Sequence, residues 1–288
     1  MVITVSSNSL PSTKINRLNF VLPIFLAILI SMICAQFVLL SEPTGSSTVL
    51  FGGTNEYFVV LNILIIALLS IASFFVFFRI FNKKPRFAVK IVVAAFILGG
   101  VLSTLLFGKL VFNLLHLDSP FLLIVVAVVA YVGAYFAYLS IVDALSDKMR
   151  NLLFVVCSGA LGSFLGVLLP AVPVVGISLF LSVFDFFLIK RKTVEAIVGE
   201  EKYEKLVFSV AISNQEWGIG IGDLTCYSMV VSNTLVIFGF FTGVVSLLLI
   251  LMGSLISLTL TLRMVRLPGL PIPMTIGLIP SIILLFFS

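Results

Sequence analysis

The chain has 288 residues, of which 61% are hydrophobic and only 10% charged. A soluble domain is nearer half apolar and a quarter charged, so an ordinary cytosolic enzyme, a disordered chain and a collagen are excluded. The net charge of +5 sits in short clusters between apolar runs, which is a topology signal rather than a phosphate-binding face and excludes nucleic acid as a partner.

Residues 1–19 are polar and lead into a first apolar run at 20–40. That run is too long for the apolar region of a secretory signal and is read as a retained helix. Further runs follow at 57–78, 87–107, 121–141, 152–169, 171–189, 217–236, 238–262 and 271–287. Each approaches the roughly 20 residues that a bilayer core of about 30 Å requires. Short alternating segments of a barrel are missing, so the predicted class is an all-α polytopic membrane protein with nine transmembrane helices. It forms a single integrated membrane domain: residues 1–192 carry helices one to six, 193–216 form a cytoplasmic loop, and 217–288 carry helices seven to nine.

With the N-terminus inside, sixteen of the seventeen Lys and Arg residues fall at or near inner connections and only Lys109 lies outside. This asymmetry predicts a cytoplasmic N-terminus and a C-terminus outside. The localisation is integral and multi-pass, in the cell membrane if the source is prokaryotic. Cys34, Cys157 and Cys226 lie in apolar runs and imply no disulfide framework. Within the loop, residues 203–213 are β-prone and read either as a loop or short interfacial helix, or as an edge that pairs with an extended peptide.

Of twelve acidic residues, ten belong to connections or helix ends, and Asp185 and Asp223 lie within apolar runs. A carboxylate at membrane depth is costly, so it faces protein or a wet cavity and is read as functional. Asp185 precedes Lys190 by five residues, roughly 7–8 Å along a helix, and Asp223 follows Trp217 by six, about 9 Å. Antiparallel neighbours therefore bring both acids to nearly one level. Before Asp223 the chain reads Gly218-Ile219-Gly220-Ile221-Gly222, poor helix interior that leaves room for close helix contact or for a substrate backbone. The segment Leu267-Pro268-Gly269-Leu270-Pro271-Ile272-Pro273 keeps its backbone extended where the ninth helix begins, and such backbone is tolerated at depth only in protein or beside water. A plain helix start with N-terminal prolines is the simpler alternative.

Phe184-Asp185, Gly220-Ile221-Gly222-Asp223 and Pro268-Gly269-Leu270, in that order, resemble the presenilin and signal-peptide-peptidase family of intramembrane aspartyl proteases and their archaeal relatives. Two positions depart from the family pattern, Phe184 where it has tyrosine and Gly269 where it has alanine. The sixth-to-seventh loop is also shorter than the long insert of animal presenilins. The resemblance implies a presenilin-like fold and an intramembrane aspartyl endopeptidase with Asp185 and Asp223 as the catalytic pair. Gly220, Ile221, Gly222, Leu267, Pro268, Gly269, Leu270 and Pro271 are read as substrate-binding. The expected partners are transmembrane helical polypeptides and the lipid bilayer, with no cofactor or metal; a homo-oligomer is left open. One histidine, His116, cannot supply a zinc cluster, and it lies far in depth from the acids, away from any serine-protease base. The rivals are a proton- or cation-coupled transporter or leak pathway using both acids as a relay, and a prepilin-peptidase-like protease.

Lesser expectations concern packing. Gly159, Gly162 and Gly166 read as a close-packing face, and Tyr131, Tyr135 and Tyr138 as an interhelical stripe. Pro280 should kink the last helix or sit where a neighbour satisfies the freed carbonyl, and Lys90 should reach toward the interface.

Overall fold

The computed structural model describes residues 3–4, 17–41, 79–80, 85–115, 119–142, 144–190, 211–214, 217–263 and 269–287. After a two-residue strand β1 (Ile3–Thr4) come helices α1 (Arg17–Ser41), α2 (Pro85–Leu114), α3 (Ser119–Ile141), α4 (Asp147–Leu168) and α5 (Ala171–Lys190). A hairpin of β2 (Ala211–Asn214) and β3 (Trp217–Gly220) follows, then α6 (Ile221–Phe238), α7 (Phe240–Arg263), α8 (Pro271–Gly277) and α9 (Ile279–Phe287). Six of these helices are long and apolar enough to cross a bilayer, and the protein is a multi-pass integral membrane protein. The run predicted at 57–78, the predicted cytoplasmic loop up to residue 210, and His116 lie outside the described residues.

Helices α4 and α6 form the heart of the bundle, with α1 laid across both and α7 against the far side of α6. Apolar side chains gain little from leaving lipid for protein, so such helices associate through close backbone approach and interhelical hydrogen bonds. Both are present. A Cβ at Gly162 or Gly166 would run into Thr225, Ser228, Met229, Ser232 and Asn233 of α6, and one at Gly159 into Ala27 and Ile30 of α1. The predicted glycine face is therefore the seam of the bundle. Across it the Asn233 amide donates to the carbonyls of Gly166 and Leu169, each at 2.8 Å, closing backbone groups left open where α4 ends. Ser31 of α1 donates to the Ser228 carbonyl at 2.8 Å. Asn233→Ala strands two buried carbonyls, and we expect it to cost about 1–3 kcal/mol, read as a lowered thermal midpoint in detergent.

Two expectations need correction. The seventh run is not helical from its start: residues 217–220 are a strand, and the helix begins at Ile221 with Gly220 before it. Alternating glycine strips the first turn of helix-favouring side chains, while β2 offers a pairing edge, with Ile212 opposite Ile219 and Ala211 opposite Gly220. The all-α class holds for the bundle, to which the described residues add a small three-stranded antiparallel sheet of order β1-β3-β2. The tyrosine stripe on α3 also makes no interhelical seam among the described residues, where Tyr131, Tyr135 and Tyr138 are all more than half exposed.

The last apolar run is interrupted as foreseen. It divides at Leu278, two residues before Pro280, which has no N–H to continue the ladder. Ser246 of α7 donates to the Gly277 carbonyl beside the break, and Thr234 of α6 meets Ser281 at 2.7 Å beyond it. Lys90 donates from α2 to the Ile141 carbonyl at 2.8 Å, capping the end of α3.

Candidate active site

Helix α5 buries one narrow stripe, Ala171, Val174, Ser178 and Ser182. The steps of three and four residues are those of one helix face, and the next position on it is Asp185. The carboxylate therefore turns toward the protein and is only partly exposed, while Val183, Phe184 and Phe186 on either side face outward. Phe184, which stands in the place of a family tyrosine, stacks on Phe180 one turn earlier, centroids 6.0 Å apart.

Asp223 arrives by a different route. The chain leaves β3, turns into α6 at Ile221, and places Asp223 in the first helical turn. It is 8% exposed, the most deeply set acid among the described residues. Because residues 217–220 are extended, at about 3.3 Å per residue, counting helical rises from Trp217 does not measure its depth. A Cβ on Gly220 would lie 3.5 Å from the Asp223 carboxyl atoms, so this glycine lets the acid rest against the backbone. Around Gly222, no described atom lies within 4 Å of where a Cβ would be. Ser158 of α4 reaches the Ile221 carbonyl at 3.4 Å and steadies the helix start.

Helices α5 and α6 are neighbours, and α8 packs against both. Asp185 and Asp223 thus sit on neighbouring helices that share α8 as a packing partner. The approach to α8 completes the cluster. Gly269 and Leu270 are buried and non-helical, and the Leu270 N–H donates to Asp185 Oδ2 at 3.4 Å. Pro271 then opens α8 in the first-turn position that suits it, so the simpler proline reading holds for the helix while the two residues before it serve the acid.

Of the residues singled out from sequence, Asp185, Asp223, Gly220, Ile221, Gly222, Gly269, Leu270 and Pro271 are thus gathered around one locus, and Leu267 and Pro268 lie outside the described residues. One further side chain belongs there: Tyr227, one turn after Asp223 on α6, donates its hydroxyl to the Gly269 carbonyl at 3.1 Å. Its spacing of four from Asp223 on a helix was the available signal. Among the described residues no group of three His, Cys, Asp or Glu side chains is gathered that could hold a metal ion.

The strands border the same place. Since β3 runs into the Asp223 turn, whatever pairs with β3 lies beside the acid. One edge of β3 is taken by β2, and the other by β1, with Ile3 opposite Gly218 and Thr4 opposite Trp217.

No family model and no curated protein matches the chain by sequence. Solved structures do. A presenilin family intramembrane aspartate protease, in a P2 crystal form, superposes with a TM-score of 0.63 at 17% identity, covering 95% of this chain and 99% of that one. The C222 form of such a protease gives 0.59 at 16% identity, covering 94% and 99%. The fold is presenilin-like over nearly its whole length.

Proposed function

We propose that this chain is an intramembrane aspartyl endopeptidase that hydrolyses transmembrane helices near the cytoplasmic side, with Asp185 and Asp223 as its catalytic pair. One observation carries the reading: two acids on adjacent helices are turned inward, Asp223 against Gly220 at the end of β3 and Asp185 against the Leu270 N–H before α8. The presenilin-like fold supports it. In the full reading nine spans run from a cytoplasmic N-terminus to an outer C-terminus, and substrates are helices with their amino ends outside.

Two carboxylates this near cannot both ionise comfortably, so the pair holds one proton between them. The ionised member takes a proton from water as its oxygen bonds to the scissile carbonyl carbon. The protonated member hydrogen-bonds the carbonyl oxygen, and proton transfer to the amide nitrogen then releases the amine. Which acid plays which part belongs to the pair as a whole.

A helical carbonyl is already hydrogen-bonded and covered, so substrate has to be opened into extended chain. Gly220–Gly222 and the 267–271 backbone border that chain, and β3 holds it by strand addition. With β2 on one edge, the incoming strand takes the edge that Ile3 and Thr4 occupy. Deleting residues 2–5 should therefore raise kcat/KM for a reporter helix a few-fold, chiefly through KM. An unchanged or raised KM would place the substrate strand elsewhere.

The direct test is an aspartyl-protease transition-state analogue, a peptide with a hydroxyl-bearing carbon in place of the scissile carbonyl. It should bind one-to-one and block metal-independent cleavage at mildly acidic pH. Solute uptake that depends on both acids, with no cleavage and no analogue binding, would make the pair a transport relay instead.

A further inference from the structure

We propose that Tyr227 is a positioning residue for Asp185, acting through the single peptide group between Gly269 and Leu270; the proposal rests on the catalytic pair assigned above. Tyr227 is buried, 2% exposed, on the face of α6 that also carries Asp223 one turn earlier. A phenol hydroxyl in such a place needs a partner, and it finds the Gly269 carbonyl at 3.1 Å. The N–H of that same peptide group is the one that reaches Asp185 at 3.4 Å.

A peptide group is planar, and in the trans form its C=O and N–H point in opposite directions; no cis bond occurs among the described residues. One rigid amide therefore spans the gap between α6 and α5, held at its oxygen by Tyr227 and presenting its hydrogen to Asp185. Two consequences follow from simple chemistry. Donation to the oxygen polarises the amide and strengthens its N–H as a donor. Rotation of the amide plane away from the phenol also carries the N–H off the carboxylate. Leu270 accepts the first helical bond, from Met274 at 3.2 Å, but the donor that would follow for Gly269 is Pro273, which has no N–H, so the phenol hydroxyl takes that place and sets the plane. Asp223 and Tyr227 share a helix, and the orientation of Asp185 is thereby referred to the helix that bears the other acid.

Tyr227→Phe keeps the ring and removes the hydroxyl. It should lower kcat about tenfold, equivalent to about 1.4 kcal/mol, while KM stays within about twofold and the thermal midpoint stays close to that of the parent. Placing 4-aminophenylalanine at position 227 restores a donor and should recover most of kcat. A structural role alone would not give the next result. Tyr227→Phe should weaken binding of the hydroxyl-bearing analogue about tenfold in the parent, but hardly at all in Asp185→Asn, because the two act as one unit. An unchanged kcat in Tyr227→Phe, or equal losses of analogue affinity in both backgrounds, overturns the proposal and leaves the pair assignment standing. Full cleavage by Asp185→Asn would instead overturn the assignment itself.

Discussion

Asp185→Asn and Asp223→Asn, made separately, are each expected to abolish cleavage of a reporter helix in liposomes, a loss of about 10³-fold or more. The amide is nearly isosteric with the acid, so the packing of α5 and α6 is preserved. It can neither take the proton of the attacking water nor share one with its neighbour. Each substitution puts a neutral amide beside a single carboxylate, much as the shared proton leaves one neutral acid beside one charged acid, so the folded protein should melt close to the parent. Lost activity in a protein of unchanged thermal midpoint is thus the signature. Cleavage within about tenfold of the parent in either variant would reject the pair.

Gly166→Val is expected to have the largest effect on stability. A Cβ there meets the Met229 carbonyl, the Ser232 hydroxyl and the Asn233 backbone nitrogen. Backbone cannot rotate aside as a flexible side chain does, so α4 and α6 must separate. Overpacking in a close-packed core costs about 1–3 kcal/mol. Separation would also strip the two carbonyls held by Asn233, each worth about 1 kcal/mol. The combined loss of about 3 kcal/mol or more should appear as aggregation or a sharply lowered midpoint. Gly108 provides the control, since nothing lies within 4 Å of a Cβ added there; Gly108→Ala, in the interior of α2, should melt no earlier than the parent.

Hydropathy made most of the helical architecture legible. The run 171–189 became Ala171–Lys190 and the run 238–262 became Phe240–Arg263, because apolar length is what a bilayer selects. The strand at 217–220 was hidden inside an apolar run. Its period-two alternation of glycine with Trp217 and Ile219 was visible, but pairing with β2 and β1 decided the matter, and such pairing is not a local property. Contact between Ile3–Thr4 and a strand more than two hundred residues away has no local sequence signature at all. Hydropathy also cannot say which way an apolar helix faces, and so the outward turn of Tyr131, Tyr135 and Tyr138 was missed. At the candidate site, Asp185 and Asp223 stood out because charge is scarce in such runs. Tyr227 did not, because an aromatic residue in an apolar helix looks like any other part of the core.

The two acids are mounted very differently. Asp223 rides on the helix locked into α4 by glycine, whereas Asp185 rides on one that keeps only a narrow stripe against its neighbours and turns Val172, Phe180 and Val183 outward. Breathing of the bundle that alters the gap between them is borne by α5, hammer to the anvil of α6. In the proposed reaction, a change in lipid thickness that tilts α5 would therefore reach the pair through Asp185 first.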